Sequence, residues 1–110
     1  MYTKIIILLI LLALASCAKQ ELADGNATLK IRTIGNTTVE IFDKVGMTLF
    51  AMLEKNHLIK ANYGQFLECI DNVCSNREFA WAIYVDGKQI NYGIKSYIVK
   101  DSDDIEIVYE

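Results

Sequence analysis

The chain has 110 residues, 53% of them apolar, and a formal net charge of −3. Its 11 Lys and Arg are scattered singly, which argues against nucleic-acid binding, because counterion release needs clustered basic side chains. With no Pro and six Gly, turns fall to Gly, Asn and Asp, and the length leaves room for one small domain.

Met1 to Lys4 is a short basic start, followed by eleven consecutive apolar residues, Ile5 to Ala15. A membrane-crossing helix needs about 20, so this run fits the apolar region of an export signal. Leu14-Ala15-Ser16-Cys17 then resembles the lipobox of bacterial and archaeal lipoproteins at all four positions, which implies cleavage before Cys17 and acylation of its thiol. The alternative is an ordinary secretory signal beside an unrelated Cys. On the lipobox reading, residues 1–16 are a signal peptide, 17–27 a lipidated tether and 28–110 the folded domain. Membrane lipid is then a partner, and the protein is exported and anchored to the extracytoplasmic face of a membrane. Ala18 after the Cys is compatible with outer-membrane sorting where an outer membrane exists. The polar, aperiodic stretch Ala18 to Ala27 can span at most about 35 Å when extended. Asn26-Ala-Thr28 and Asn36-Thr-Thr38 have the form of glycosylation sequons, a pattern that also arises by chance.

Thr28 to Thr33 alternates, with Leu29 and Ile31 on one face and Lys30 and Arg32 on the other. Thr37 to Phe42 repeats the pattern through Val39 and Ile41 after a turn at Gly35-Asn36, which predicts a hairpin. Thr48 is placed to cap a helix carrying Leu49, Phe50, Met52 and Leu53 to about His57. Gln65 to Ile70 reads as a short strand. If Asp71-Asn72 forms a two-residue turn, Cys69 faces Cys74 at a separation a disulfide can span, and an exported protein allows that bond. The other reading is two small buried thiols. A four-ligand metal site is disfavoured, since the pair comes with one His, His57, on the predicted helix.

Phe79, Trp81, Ile83 and Val85 share one face of a strand whose other face carries Ala80, Ala82 and Tyr84, so both faces are apolar enough for a central strand. Asp86-Gly87 is the sequence of a type I′ turn. Tyr97 to Val99 and Ile105 to Tyr109 predict a C-terminal hairpin around Lys100 to Asp104, an acidic turn that lacks the spacing of a calcium loop and reads as solvated. Two strands, a helix and several short strands give an α+β chain with one helix on a mixed sheet, the order of a β-grasp.

Gly46-Met-Thr-Leu-Phe-Ala-Met-Leu53, Trp81-Ala-Ile-Tyr-Val-Asp-Gly87, Gly93, Tyr97 and Asp104-Ile-Glu-Ile-Val-Tyr109 together resemble the transcobalamin C-terminal-like domain, a β-grasp module of the soluble-ligand-binding type in exported prokaryotic proteins. The resemblance covers about Thr28 to Glu110. Asp86 stands where the family usually has Asn, and Asp101-Ser-Asp103 where it has Asp-Gly-Asp; both keep turn chemistry. The resemblance implies a fold and a docking face around Tyr84, Asn91, Tyr92 and Gly93. A corrinoid ligand follows from it only by analogy, because in transcobalamins this domain closes over a corrin held by a helical barrel.

No nucleophile with a base, metal cluster or paired-carboxylate motif stands out, so catalysis is not expected. Trp81 is assigned to the core. Two function classes remain: a membrane-anchored binding module for a small ligand or an envelope partner, and a structural or interaction lipoprotein with no small-molecule site. A concave apolar pocket with a few convergent polar groups would favour the first.

Overall fold

The computed structural model describes residues 22–63 and 65–110. Cys17, the expected export signal and most of the expected tether lie outside the described residues. The elements are β1 (Ala23–Thr33), β2 (Asn36–Val45), α1 (Leu49–Glu54), β3 (Ile59–Asn62), β4 (Phe66–Ile70), β5 (Val73–Cys74), β6 (Trp81–Val85), β7 (Lys88–Gln89) and β8 (Asp104–Tyr109). They form a five-stranded sheet in the order β2-β1-β8-β6-β7 and a three-stranded sheet in the order β3-β4-β5. The α+β class read from the sequence is the observed one.

The five-stranded sheet is mixed, since β8 runs parallel to β1 and antiparallel to β6. β8 is therefore its middle strand, and Ile105 and Ile107 on its inner face are fully buried with Leu29 of β1. β6, expected at the centre, lies one place out and pairs on its far side with the two residues of β7. The Asp86-Gly87 turn is as expected, with positive φ at both residues (51° and 81°). Asp86 adds a bond of its own, as Oδ1 accepts from the Asp104 amide at 3.0 Å.

The first hairpin differs from expectation in three ways. Ala23 to Ala27, assigned to the tether, already pairs with β2 as part of β1. The turn residues are Ile34-Gly35, because Thr33 pairs with Asn36. That register puts Leu29 opposite Glu40, and opposed residues share a face. Since Leu29 points into the core, Glu40 and Phe42 turn inward, while Val39 and Ile41 are 57% and 78% exposed on the open face.

Helix α1 is a turn and a half long, too short to persist alone, and buries Leu49, Met52 and Leu53 against the sheet. It ends at Glu54 rather than His57. Thr48 caps it as expected, its side chain accepting from the Ala51 amide at 3.1 Å. The two amides before Ala51 donate outside the helix: Leu49 N to Tyr97 O at 2.9 Å and Phe50 N to Ile94 O at 3.0 Å. This explains why the expected C-terminal hairpin does not form. Residues 97–99 bond instead to the chain entering the helix, through Gly46 N to Val99 O and Val99 N to Met47 O, and make a single bridge, Thr48 with Ile98.

The acidic turn is tied into the fold rather than solvated throughout. Asp103 is 6% exposed; its Oδ2 accepts from the Tyr97 hydroxyl at 2.5 Å and the Lys100 amide at 2.8 Å. Burial first, and then the hydrogen bond to Asp103, holds the Tyr97 hydroxyl well above the usual phenol range. Asp101 accepts from the Asn26 amide at 2.9 Å, and the Ser102 amide donates to Asn26 O. These bonds fall where β1 is bulged between Asp24 and Ala27. Gly25 allows the approach, since a Cβ there would lie 3.0 Å from Asp101 Oδ1, as well as 2.8 Å from Val45 Cγ2.

Replacing Asp103 with Ala leaves the Tyr97 hydroxyl and the Lys100 amide without their shared acceptor. The expected loss is about 1–3 kcal/mol, read as a lower midpoint in urea unfolding, and an unchanged midpoint would remove this anchor from the account.

Candidate functional site

The smaller sheet owes its β4–β5 hairpin to a turn and a disulfide. Asp71 and Asn72 both have positive φ (48° and 71°), so Ile70 opposes Val73 and Cys69 opposes Cys74. The cysteines are bonded, with Cα atoms 4.1 Å apart. β3, which the sequence reading did not identify, pairs with β4 on the other side.

Aromatic side chains of the larger sheet hold β5. The Trp81 ring nitrogen donates to Val73 O at 3.0 Å and the Tyr109 hydroxyl to Cys74 O at 2.7 Å. Tyr109 packs between Phe79 and Trp81, with ring centres 5.3 and 4.9 Å away. Trp81 is half-buried, and it stands between two clefts that both separate the sheets.

The larger-sheet cleft, on the β7 side, has a volume of about 210 Å³. Gln65 and Phe66 line it from the start of β4, Trp81 from β6, and Asn91, Tyr92 and Gly93 from the segment after β7. Three of the four residues expected at a docking face are thus brought together. Tyr84 is not: strand alternation sends it to the opposite face of the sheet from Ile83, where its hydroxyl donates to Glu110 at 2.5 Å. That bond, followed by burial, pushes the Tyr84 hydroxyl up from its ordinary value.

Gly93 permits the backbone approach that shapes this cleft. The Ile94 amide donates to Gln65 O at 2.8 Å, and a Cβ on Gly93 would lie 2.6 Å from the same oxygen. Tyr92 is 52% exposed, with its ring centre 5.8 Å from that of Tyr97. The side chains lining the cleft are aromatic, aliphatic or carboxamide, and none carries a charge. Such a surface can stack against a flat apolar group and hydrogen-bond to a neutral polar one; it offers no ion pair to an anion or cation.

The second cleft, about 140 Å³, lies on the other side of Trp81 and is lined by His57, Thr33, Thr38 and Asp71 among others. His57 Nε2 is 2.6 Å from Glu40 Oε2, and Nδ1 is 2.5 Å from Asp71 Oδ2. Burial of the ring disfavours its charged form, but hydrogen bonds to Glu40 and Asp71, and then their charges, outweigh it. The pKa of His57 is therefore raised above 6.5. For Asp71, desolvation is outweighed by hydrogen bonds from His57 and the Leu58 amide, so its carboxyl sits below the usual value. Sequence reasoning missed this cluster, because its members are 14 and 17 residues apart and only the fold assembles them. Among the described residues, no three His, Cys, Asp or Glu side chains are grouped so as to hold a metal ion.

With its mixed sheet, one packed helix and second small sheet, the chain has a transcobalamin-like fold of β-grasp type. The chain belongs to the family described as a domain of unknown function, DUF4430, whose pattern matches residues 46–110. Its fold is similar to that of a protein from Ruminococcus gnavus ATCC 29149 described as a candidate metal-binding protein, at 22% identity and a TM-score of 0.66, over 79% of this chain and 97% of that one. It is also similar to haptocorrin, solved in complex with Cbi, at 16% identity and a TM-score of 0.62. That match covers 86% of this chain and 27% of haptocorrin. No curated protein matches the chain by sequence.

The Cys69–Cys74 bond closes a six-residue loop, for which the chain-entropy contribution is about 2 kcal/mol. The paired Cys69→Ala, Cys74→Ala variant is expected to fold with stability lower by about that amount. Alkylation of the unreduced protein should label neither thiol, whereas two labelled thiols would show the bond to be absent.

Proposed function

We propose that the protein is an exported lipoprotein, held on the extracytoplasmic face of a membrane by lipid on Cys17, and that its domain is a non-catalytic binding module for a small uncharged ligand or an envelope partner. The observation that carries the binding reading is the charge-free cleft in which Asn91, Tyr92 and Gly93 meet Gln65, Phe66 and Trp81. The lipid anchor is supported by the lipobox at Leu14 to Cys17, and two acyl chains give stable attachment where one is marginal. No helix among the described residues is long and apolar enough to cross a membrane.

A corrinoid is the ligand class to test first, because haptocorrin, solved with Cbi, shares the fold. The cleft is smaller than the ~300–1,000 Å³ of sites that enclose a drug-sized ligand, so one face of a large flat molecule would rest on Tyr92 and a second protein would supply the other face. Binding must also overcome several kcal/mol of lost translational and rotational freedom. The runner-up, a structural or interaction lipoprotein with no small-molecule site, makes no use of the cleft.

Three measurements test the proposal. Cys17→Ser should leave the membrane fraction, and retention there would overturn lipid anchoring. Titration of the purified protein with cobalamin, followed by Trp81 fluorescence, should give no submicromolar binding by this chain alone. Tyr92→Ala should weaken partner-assisted binding about tenfold, equivalent to about 1.4 kcal/mol. Submicromolar affinity of the chain alone would overturn the two-sided site, and unaltered partner binding in both Tyr92→Ala and Asn91→Ala would remove the cleft from the function.

A further inference from the structure

His57 is the single histidine of the chain, and each of its ring nitrogens faces a carboxylate. An ionised carboxylate only accepts hydrogen bonds, and a neutral imidazole has one N–H to give. Only the imidazolium can donate to Glu40 and Asp71 together.

The two carboxylates are held differently. Asp71 is fixed from its own side: Oδ1 accepts from the Leu58 amide at 2.9 Å, and the Asp71 amide donates to Leu58 O at 2.8 Å. Leu58 directly follows His57, so the contact between His57 and Asp71 closes a local loop between the end of α1 and the β4–β5 turn. Glu40 belongs to β2, in the other sheet. The contact between His57 and Glu40 is therefore the ionic one that crosses to β2 at this end, beside the neutral bonds of Asn56 to Glu40 and of Trp81 to Val73 O. It is also shielded, with the two side chains 13% and 19% exposed against 50% for Asp71.

We propose that His57 is a proton-operated latch between the two sheets: as imidazolium it ties the tip of the small sheet to β2, and as neutral imidazole it keeps Asp71 and gives up its own bond to Glu40, which Asn56 still holds through Oε1. The remaining proton stays on Nδ1, because Asp71 is already oriented by Leu58. Nε2 then presents a lone pair to the Glu40 carboxylate, and two acceptors at that distance repel. Glu40 and Asp71 are the charged groups facing the ring. From the α1 side the neutral Asn56 amide donates to Glu40 Oε1 at 2.6 Å, and Thr38, Ile70 and Trp81 of the surrounding cleft carry no charge.

The direction with pH follows from the raised pKa. The latch is closed and its stabilisation fully present below about 6.5, the unfolded value; it opens as pH rises through the higher folded value. Trp81 reports the change because it lines the same cleft as His57 and bonds to Val73 O, just beyond the Asp71-Asn72 turn. It also lines the larger-sheet cleft, so the latch reaches the wall of the proposed binding surface. The latch itself holds whether or not that surface binds a ligand.

The test uses the purified protein without ligand. NMR of the labelled His57 ring and emission from Trp81, the single tryptophan, are followed together across pH. His57 should titrate above 6.5 and Trp81 emission should change with the same midpoint. In Glu40→Gln both midpoints should move down together, and in His57→Gln the Trp81 transition should be lost. A His57 pKa at or below 6.5, a His57 titration that Trp81 does not follow, or a Trp81 transition that persists in His57→Gln would each overturn the latch. The first two of these outcomes are read on the unaltered protein, so they stand even if a variant fails to fold.

Discussion

The amides that open α1 set the arrangement of the second half of the chain. A helix this short cannot form unless its first N–H groups find acceptors, and Thr48 supplies only one side-chain oxygen. The other acceptors are the carbonyls of Ile94 and Tyr97. Once those carbonyls are committed to the helix, residues 94–99 are not available to pair with β8. That leaves β8 to take β1 in parallel on one side and β6 on the other, the pairing that buries Leu29, Ile105 and Ile107 together.

The same segment builds the candidate site. Before reaching the helix it passes Gln65, and the absence of a side chain on Gly93 lets its backbone close to bonding distance. Asn91 and Tyr92 are thereby presented beside Phe66 and Trp81, at the junction of the two sheets. The small sheet is positioned by Trp81 and Tyr109 at β5 and by His57 against β2. The candidate cleft and the helix cap thus depend on one stretch of chain, which ties the stability of the fold to the shape of the cleft.

Much of this was legible where the determining contacts are local. Asp86-Gly87 and Asp71-Asn72 specify turns within four residues, Thr48 specifies a helix start, and the spacing of Cys69 and Cys74 across a turn specifies a bond. Gly93 was legible as part of a docking face, although Gln65 as its close neighbour was not. What escaped depends on distant partners. The inward face of β2 is chosen by its register with Leu29, which places Glu40 where alternation alone favours Val39 and Ile41. The strand-like Tyr97 to Val99 is claimed by a helix more than 40 residues earlier. Asp103 looked solvated among other acids until Tyr97 was seen beside it. The Glu40, His57 and Asp71 cluster has no sequence signature at all, and Tyr84 was joined to Asn91 and Tyr92 by the resemblance, although alternation sends it to the other face.

The carbonyls of Ile94 and Tyr97 cap α1 and so hold helix, cleft and sheet as one unit. Amide hydrogen exchange at Leu49 and Phe50 tests it most directly. The account predicts protection of these two amides as strong as that of Ile105 and Ile107 in the middle strand, because their bonds to Tyr97 O and Ile94 O open only when the core opens. Exchange at the rate of free amides, while Ile105 and Ile107 remain protected, would contradict it.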